Sequence, residues 1–217
     1  TAIIQRLAER IAPDTLAGAV ILVPVVNIYG FLSNSRYLPD RRDLNRSFPG
    51  SSKGSLAGQL AQCFLENVIE KSTLGIDIHS AAIHRYNLPQ IRIAEDDPYL
   101  TELAMAFGAP VIVESPLREG SMRELARSRG VPMLLLEAGE ALRFDRLSID
   151  IGTHGVLRVL AHLRMLEWDD GMDGVSTPAR TNSSTWVRAP RGGVAHFIHE
   201  SGDTVHAGDV LAQVSGL

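Results

Sequence analysis

VPMLLLE, Val131 to Glu137, and LGIDIH, Leu74 to His79, are short apolar runs that each close on an ionisable side chain. Continuous apolar runs of roughly four to eight residues are the pattern of strands covered on both faces, which points to a sheet buried between helices. Helical spacing recurs around them. Ile3, Ile4, Leu7, Ala8 and Ile11 share one face of Ala2 to Ile11, and Leu56, Leu60, Phe64, Val68 and Ile69 form a stripe on a helix that Ser55 caps and that extends to about Lys71. AVILVPVV, Ala19 to Val26, reads as another covered strand, and a long polar loop runs from Asn27 to Ser52.

Further along, a strand at Pro89 to Ala94 is followed by a helix at Pro98 to Phe107 and a strand at Ala109 to Glu114. A short helix at Ser121 to Arg129 precedes VPMLLLE, and a long amphipathic helix covers Arg146 to Leu166. This alternation predicts an α/β sandwich with a mixed, mostly parallel sheet. Asp, Gly, Ser and Asn accumulate over residues 167–184, a linker signature, and residues 185–217 hold short apolar pieces between Gly-rich turns, the pattern of a small all-β module. The expected domains are therefore 1–168, a linker at 169–184, and 185–217.

The 217 residues are 45% hydrophobic and 21% charged, and 21 Lys+Arg against 25 Asp+Glu leave a net charge of −4. No block of like charge exists to bind nucleic acid or an anionic membrane surface. The longest apolar stretch, Ala17 to Val26, is broken by Gly18 and Pro24 and falls short of the roughly 20 residues of a membrane span. Cys63 is the one cysteine, so no internal disulfide or cysteine zinc cluster is formed and a reducing, cytoplasmic setting is expected.

In open α/β sheets ligands collect outside the carboxyl ends of strands, which makes His79 and Glu137 the first candidates for chemistry. Asp77, two residues before His79, shares its face and suits a carboxylate behind the histidine or a packing role. Taken singly, a strand-end His or Glu is more often a hydrogen-bonded structural group. His84, His154, His162, His196, His199 and His206 have no spacing that suggests ligation. The loop from Asn27 to Gly50 gathers Arg36, Arg41, Arg42, Asp43, Asn45 and Arg46. Planar guanidinium forks suit carboxylates, so Arg36 and Arg46 with Asn45 make a candidate anion site, against the alternative of a solvated loop in which Asp43 pairs an arginine.

VPVVNIYGF, NSR, DLNRSFPG, DIHS and LLLEAGE, in that order, resemble the succinylglutamate desuccinylase/aspartoacylase family of the zinc carboxypeptidase clan, over roughly Thr1 to Leu166. The resemblance implies a zinc-carboxypeptidase-like fold and one Zn2+ per chain, held by an HxxE pair and a later His. It makes His79 the later His and metal ligand, Glu137 the catalytic base, and Asn45 and Arg46 the substrate-binding pair. Arg36 becomes the arginine that polarises the scissile carbonyl or clamps a carboxylate. No HxxE occurs in the first residues, where the family has it just before the helix that begins here near Thr1, so a missing upstream segment is expected.

The expected activity is zinc-dependent removal of the acyl group from an N-acylated amino acid or similar small amide, with esters as further substrates. The alternatives are carboxypeptidase action on peptides and a metal-free carboxylate-binding scaffold. APRGGVAHFIHESGDTVHAGDVLAQV resembles half of a biotinyl/lipoyl-type β hammerhead, but no Lys follows Lys71, which excludes a swinging arm. A homo-oligomer is the family expectation.

Overall fold

The computed structural model describes residues 1–168 and 177–216. Helices α1 (Ala2–Arg10), α2 (Ile28–Ser33) and α3 (Leu56–Asn67) precede strand β1 (Gly75–His79). Then follow β2 (Asn87–Ile93), α4 (Pro98–Phe107), β3 (Val111–Glu114), α5 (Met122–Ser128), β4 (Met133–Gly139) and α6 (Arg146–His162). The chain continues through β5 (Ala179–Thr181), β6 (Val194–Phe197) and β7 (Ala212–Ser215). Side-chain oxygens of Ser55, Asp97, Ser121 and Asp145 accept backbone N–H groups at the starts of α3, α4, α5 and α6, so each helix begins where its cap stands. Gly108 ends α4 in the left-handed conformation.

Five strands form one sheet in the order β1-β4-β2-β3-β5. Three neighbouring pairs are parallel, and β2 runs antiparallel to β4. Alternation divides β4 between two cores. Leu134 and Leu136 join Ile91, Ile93, Ile112 and Phe107 beneath α1, α4 and α6, while Met133 joins the cluster of Leu44, Phe48, Ala61, Leu125 and Ala126 on the other face. Glu137 therefore stands on the second face, under the loops. The β6–β7 ribbon is a separate sheet, and ahead of it the Trp186 ring has its centroid 5.5 Å from the Arg85 guanidinium in the β1–β2 connection.

The sheet and its helices match the expected α/β class. Three expectations about single segments are corrected. Ala19 to Val26 forms no strand: it runs without ladder hydrogen bonds, Pro24 has no N–H to give, and Val20 and Leu22 touch the core while Ile21 is half exposed. Its apolar residues serve packing rather than pairing. The helix expected to reach Lys71 stops at Asn67 and passes through a 3-10 turn at Ile69–Lys71. Within the expected linker, Ala179–Thr181 pairs with β3 in parallel, and Arg180 reaches Glu114 at 2.6 Å; residues 169–176 lie outside the described part. No helix among the described residues is long and apolar enough to cross a membrane.

Gly155 in α6 lets the buried Phe107 ring lie against the helix backbone, since a Cβ there would stand 2.2 Å from a ring carbon. A rigid, fully buried ring has nowhere to move. Gly155→Ala is expected to lower stability by about 1–3 kcal/mol despite alanine's better helix propensity, measured by urea unfolding.

Candidate active site

Parallel pairing of β1 with β4 runs in register from Gly75 opposite Met133 to His79 opposite Glu137. Two residues distant in sequence thus become cross-strand neighbours on the same face. His79 Nδ1 lies 4.0 Å from Glu137 Oε1, and Nε2 is paired with Asp77 Oδ2 at 2.9 Å. Asp77 is buried. Its negative charge, more than any other influence, raises the His79 pKa from 6.5 to about 9, with burial opposing and Glu137 assisting.

The loop side of the site is built on a short 3-10 turn, Leu44–Arg46. Asp43 caps it, its Oδ1 accepting from Asn45 N at 2.9 Å, while its Oδ2 accepts from Arg36 Nε at 3.0 Å and Nη2 at 2.7 Å. One carboxylate thereby fixes both the turn and the arginine. The Arg36 charge is close enough to oppose protonation of His79. Asn45 Oδ1 accepts from Met122 N at 2.8 Å, which ties the turn to the start of α5 and leaves its amide N–H groups available. Arg46 is exposed; its guanidinium donates to the Asn45 carbonyl, and among the described residues no contact joins it to His79 or Glu137. Asn27, also in this loop, is a helix cap: its Oδ1 accepts from Gly30 N at 2.9 Å.

Three groups the sequence reading did not single out complete the site. Asn87 Nδ2 donates to Glu137 Oε2 at 3.1 Å. Arg123, on α5, feels the charges of Asp77 and Glu137 and those of Arg92 and Arg118; burial is the main cause that lowers its pKa. Among the described residues, its Nη1 and the Nε of Arg92 are buried without a hydrogen-bond partner. Buried guanidinium donors left unmet are the expected condition of an anion site awaiting its ligand. A sequence signal existed for Arg92, a single charge alternating with Ile91 and Ile93 on a buried strand. Arg123 had none, because a charge on a short helix usually faces water.

Among the described residues no group of three or more His, Cys, Asp or Glu side chains is arranged to hold a metal ion. His79, with Nε2 paired to Asp77 and Nδ1 turned toward Glu137, has the form of a ligand oriented by a carboxylate. It is one ligand where a catalytic zinc takes three from protein, so these residues do not hold zinc by themselves.

In the metal-free protein His79 is expected to titrate near pH 9, followed by NMR of the imidazole protons, and Asp77→Asn to bring that value down sharply. A raised folded-state pKa stabilises the fold fully below about pH 6.5 and ceases to do so as pH rises through about 9. Asp77→Asn should accordingly remove this part of the pH dependence of unfolding between those limits.

The chain is similar to N-alpha-acetyl-L-2,4-diaminobutyric acid deacetylase of Halomonas elongata, 28% identical over 224 residues that cover 97% of this chain and 65% of that protein. It thus spans just under two thirds of that relative. A solved succinylglutamate desuccinylase/aspartoacylase from Rhodobacter sphaeroides is 30% identical with a TM-score of 0.81, over 98% of this chain and 68% of that one. The product-bound ectoine utilization protein EutE (DoeB) from Ruegeria pomeroyi shares the fold with a TM-score of 0.84 at 24% identity, over 100% and 68% of the two chains. The model of the Succinylglutamate desuccinylase/Aspartoacylase catalytic domain matches residues 1–163, so the stretch that brings His79, Glu137 and the Arg36–Arg46 loop together is that domain, and the chain belongs to the succinylglutamate desuccinylase/aspartoacylase family.

Proposed function

We propose that the protein is a hydrolase that removes the acyl group from an N-acylated amino acid, with residues 1–168 as its catalytic unit and residues 185–217 as a β module beside it. The observation that carries this is the Glu137 carboxylate, held near the end of β4 beside His79 and close enough for its charge to act on the buried Arg123 guanidinium. Glu137 takes the proton of a water molecule that adds to the amide carbonyl carbon and passes it to the amine nitrogen as the C–N bond breaks. The products are a carboxylic acid and a free amine.

Around that step the other residues bind and orient. Arg36, fixed by Asp43, polarises the carbonyl oxygen. The free amide donors of Asn45, with Arg46, hold the amino-acid carboxylate, and Arg123 offers a buried guanidinium to a further acidic or carbonyl group. Zinc, one ion per chain with His79 Nδ1 among its ligands, is proposed from the family resemblance; when bound it would supply Lewis acidity at the carbonyl. A cytoplasmic location is proposed from the lone Cys63, and a homo-oligomer from the family.

N-alpha-acetyl-L-2,4-diaminobutyrate, the compound named for the Halomonas elongata relative, is the first substrate to assay in the full-length protein. Glu137→Gln is expected to lower kcat by roughly 100- to 10,000-fold with folding unchanged; retention of full activity would remove Glu137 from the chemistry. Arg123→Met should raise KM by about ten- to a hundredfold, the loss of a charged hydrogen bond. Elemental analysis of the full-length protein should find one zinc per chain, lost in His79→Ala. Absence of both zinc and activity would favour a carboxylate-binding scaffold.

A further inference from the structure

We propose that Asn87 is a positioning residue that holds the Glu137 carboxylate in its working orientation, and that an irregularity in β2 exists to put it there. The inference rests on Glu137 being the base. Between β2 and β4 the register changes once: Gln90, Ile91 and Arg92 lie opposite Glu137, Leu136 and Leu135, whereas Asn87 lies opposite Gly139. Unbroken pairing would set Leu88 opposite Gly139. One extra residue on β2, at Leu88-Pro89, therefore shifts the chain by a single position, and a shift of one exchanges the faces of a strand.

The exchange has a definite chemical result. Leu88 loses the place beside Glu137 and Asn87 takes it, so an amide replaces an isobutyl group next to the carboxylate. Pro89 is the residue suited to the irregularity, because it has no N–H for the ladder to lose. An ionised carboxylate only accepts, which requires Asn87 to present Nδ2, and the distance to Oε2 is 3.1 Å. The two oxygens of Glu137 are thereby distinguished. Oε2 is anchored by Asn87, and Oε1 is presented toward His79 at 4.0 Å, where the attacking water must stand. A glutamate otherwise has three rotatable bonds with which to turn away.

Asn87→Asp keeps the shape of the side chain but replaces the donor with a second negative charge, and Asn87→Ala removes it. Both are expected to lower kcat on N-alpha-acetyl-L-2,4-diaminobutyrate by about ten- to a hundredfold, with KM within about twofold. In a Glu137→Gln background Asn87→Ala should cost nothing further, because the orientation it maintains no longer matters. A metal-free crystal structure of Asn87→Asp should show the Glu137 carboxylate turned from its position, a readout independent of turnover. Parental kcat in both variants, alongside an inactive Glu137→Gln enzyme, would overturn the role of Asn87 and leave Glu137 as base. A fully active Glu137→Gln enzyme would instead overturn the base, and this inference with it.

Discussion

In-register parallel pairing of β1 with β4 is the constraint on which the site depends. Five consecutive residue pairs, Gly75–Met133 to His79–Glu137, leave His79 and Glu137 no freedom to drift along the strands. A slip of one residue would turn either side chain into the apolar core occupied by Leu134 and Leu136. That outcome would bury a charge among hydrocarbon, so the register that forms the core is also the register that forms the site. Stability and chemistry are set by the same hydrogen-bond ladder.

Electrostatics around this pair are balanced by short, specific contacts rather than by net charge. Asp77 holds His79 from behind, Asp43 fixes Arg36, and Asn87 fixes Glu137. Each partner removes a rotational freedom from a group that faces the crevice, which is how a small site attains a defined geometry before substrate arrives. Arg92 and Arg123 differ, because each keeps a buried donor with no partner among the described residues. Leaving such donors unmet costs stability, and a bound anion would satisfy them.

The loop that carries Arg36, Asn45 and Arg46 is ordered by local chemistry as much as by tertiary contact. Asp43 acts twice, on Arg36 and on the turn at Leu44–Arg46, while Leu44 and Phe48 anchor the loop in the second core. Asn45 then spans from the loop to α5, the helix that bears Arg123. The loop and α5 are thus coupled through one side-chain hydrogen bond. The alternative of a solvated loop with Asp43 pairing an arginine is part of this arrangement: the pair exists, and it positions Arg36.

Taken alone, the sequence determined the α/β class, most of the helices and the strands that carry His79 and Glu137, because apolar periodicity and caps are local signals; β4 runs two residues past Glu137, to Gly139, where β2 pairs with it. The motifs at Asp43–Gly50, Asp77–Ser80 and Leu134–Glu140 carried the family. Tertiary structure decided the rest. Ala19 to Val26 looks like a strand from composition, yet a strand needs a partner in space, which no local signal supplies. Ala179–Thr181 looks like linker until β3 offers it an edge. Asn87 and Arg123 became legible in the same way: a one-residue shift in β2 and the placement of α5 over the sheet bring them to Glu137, and both depend on contacts between segments some 14 to 50 residues apart.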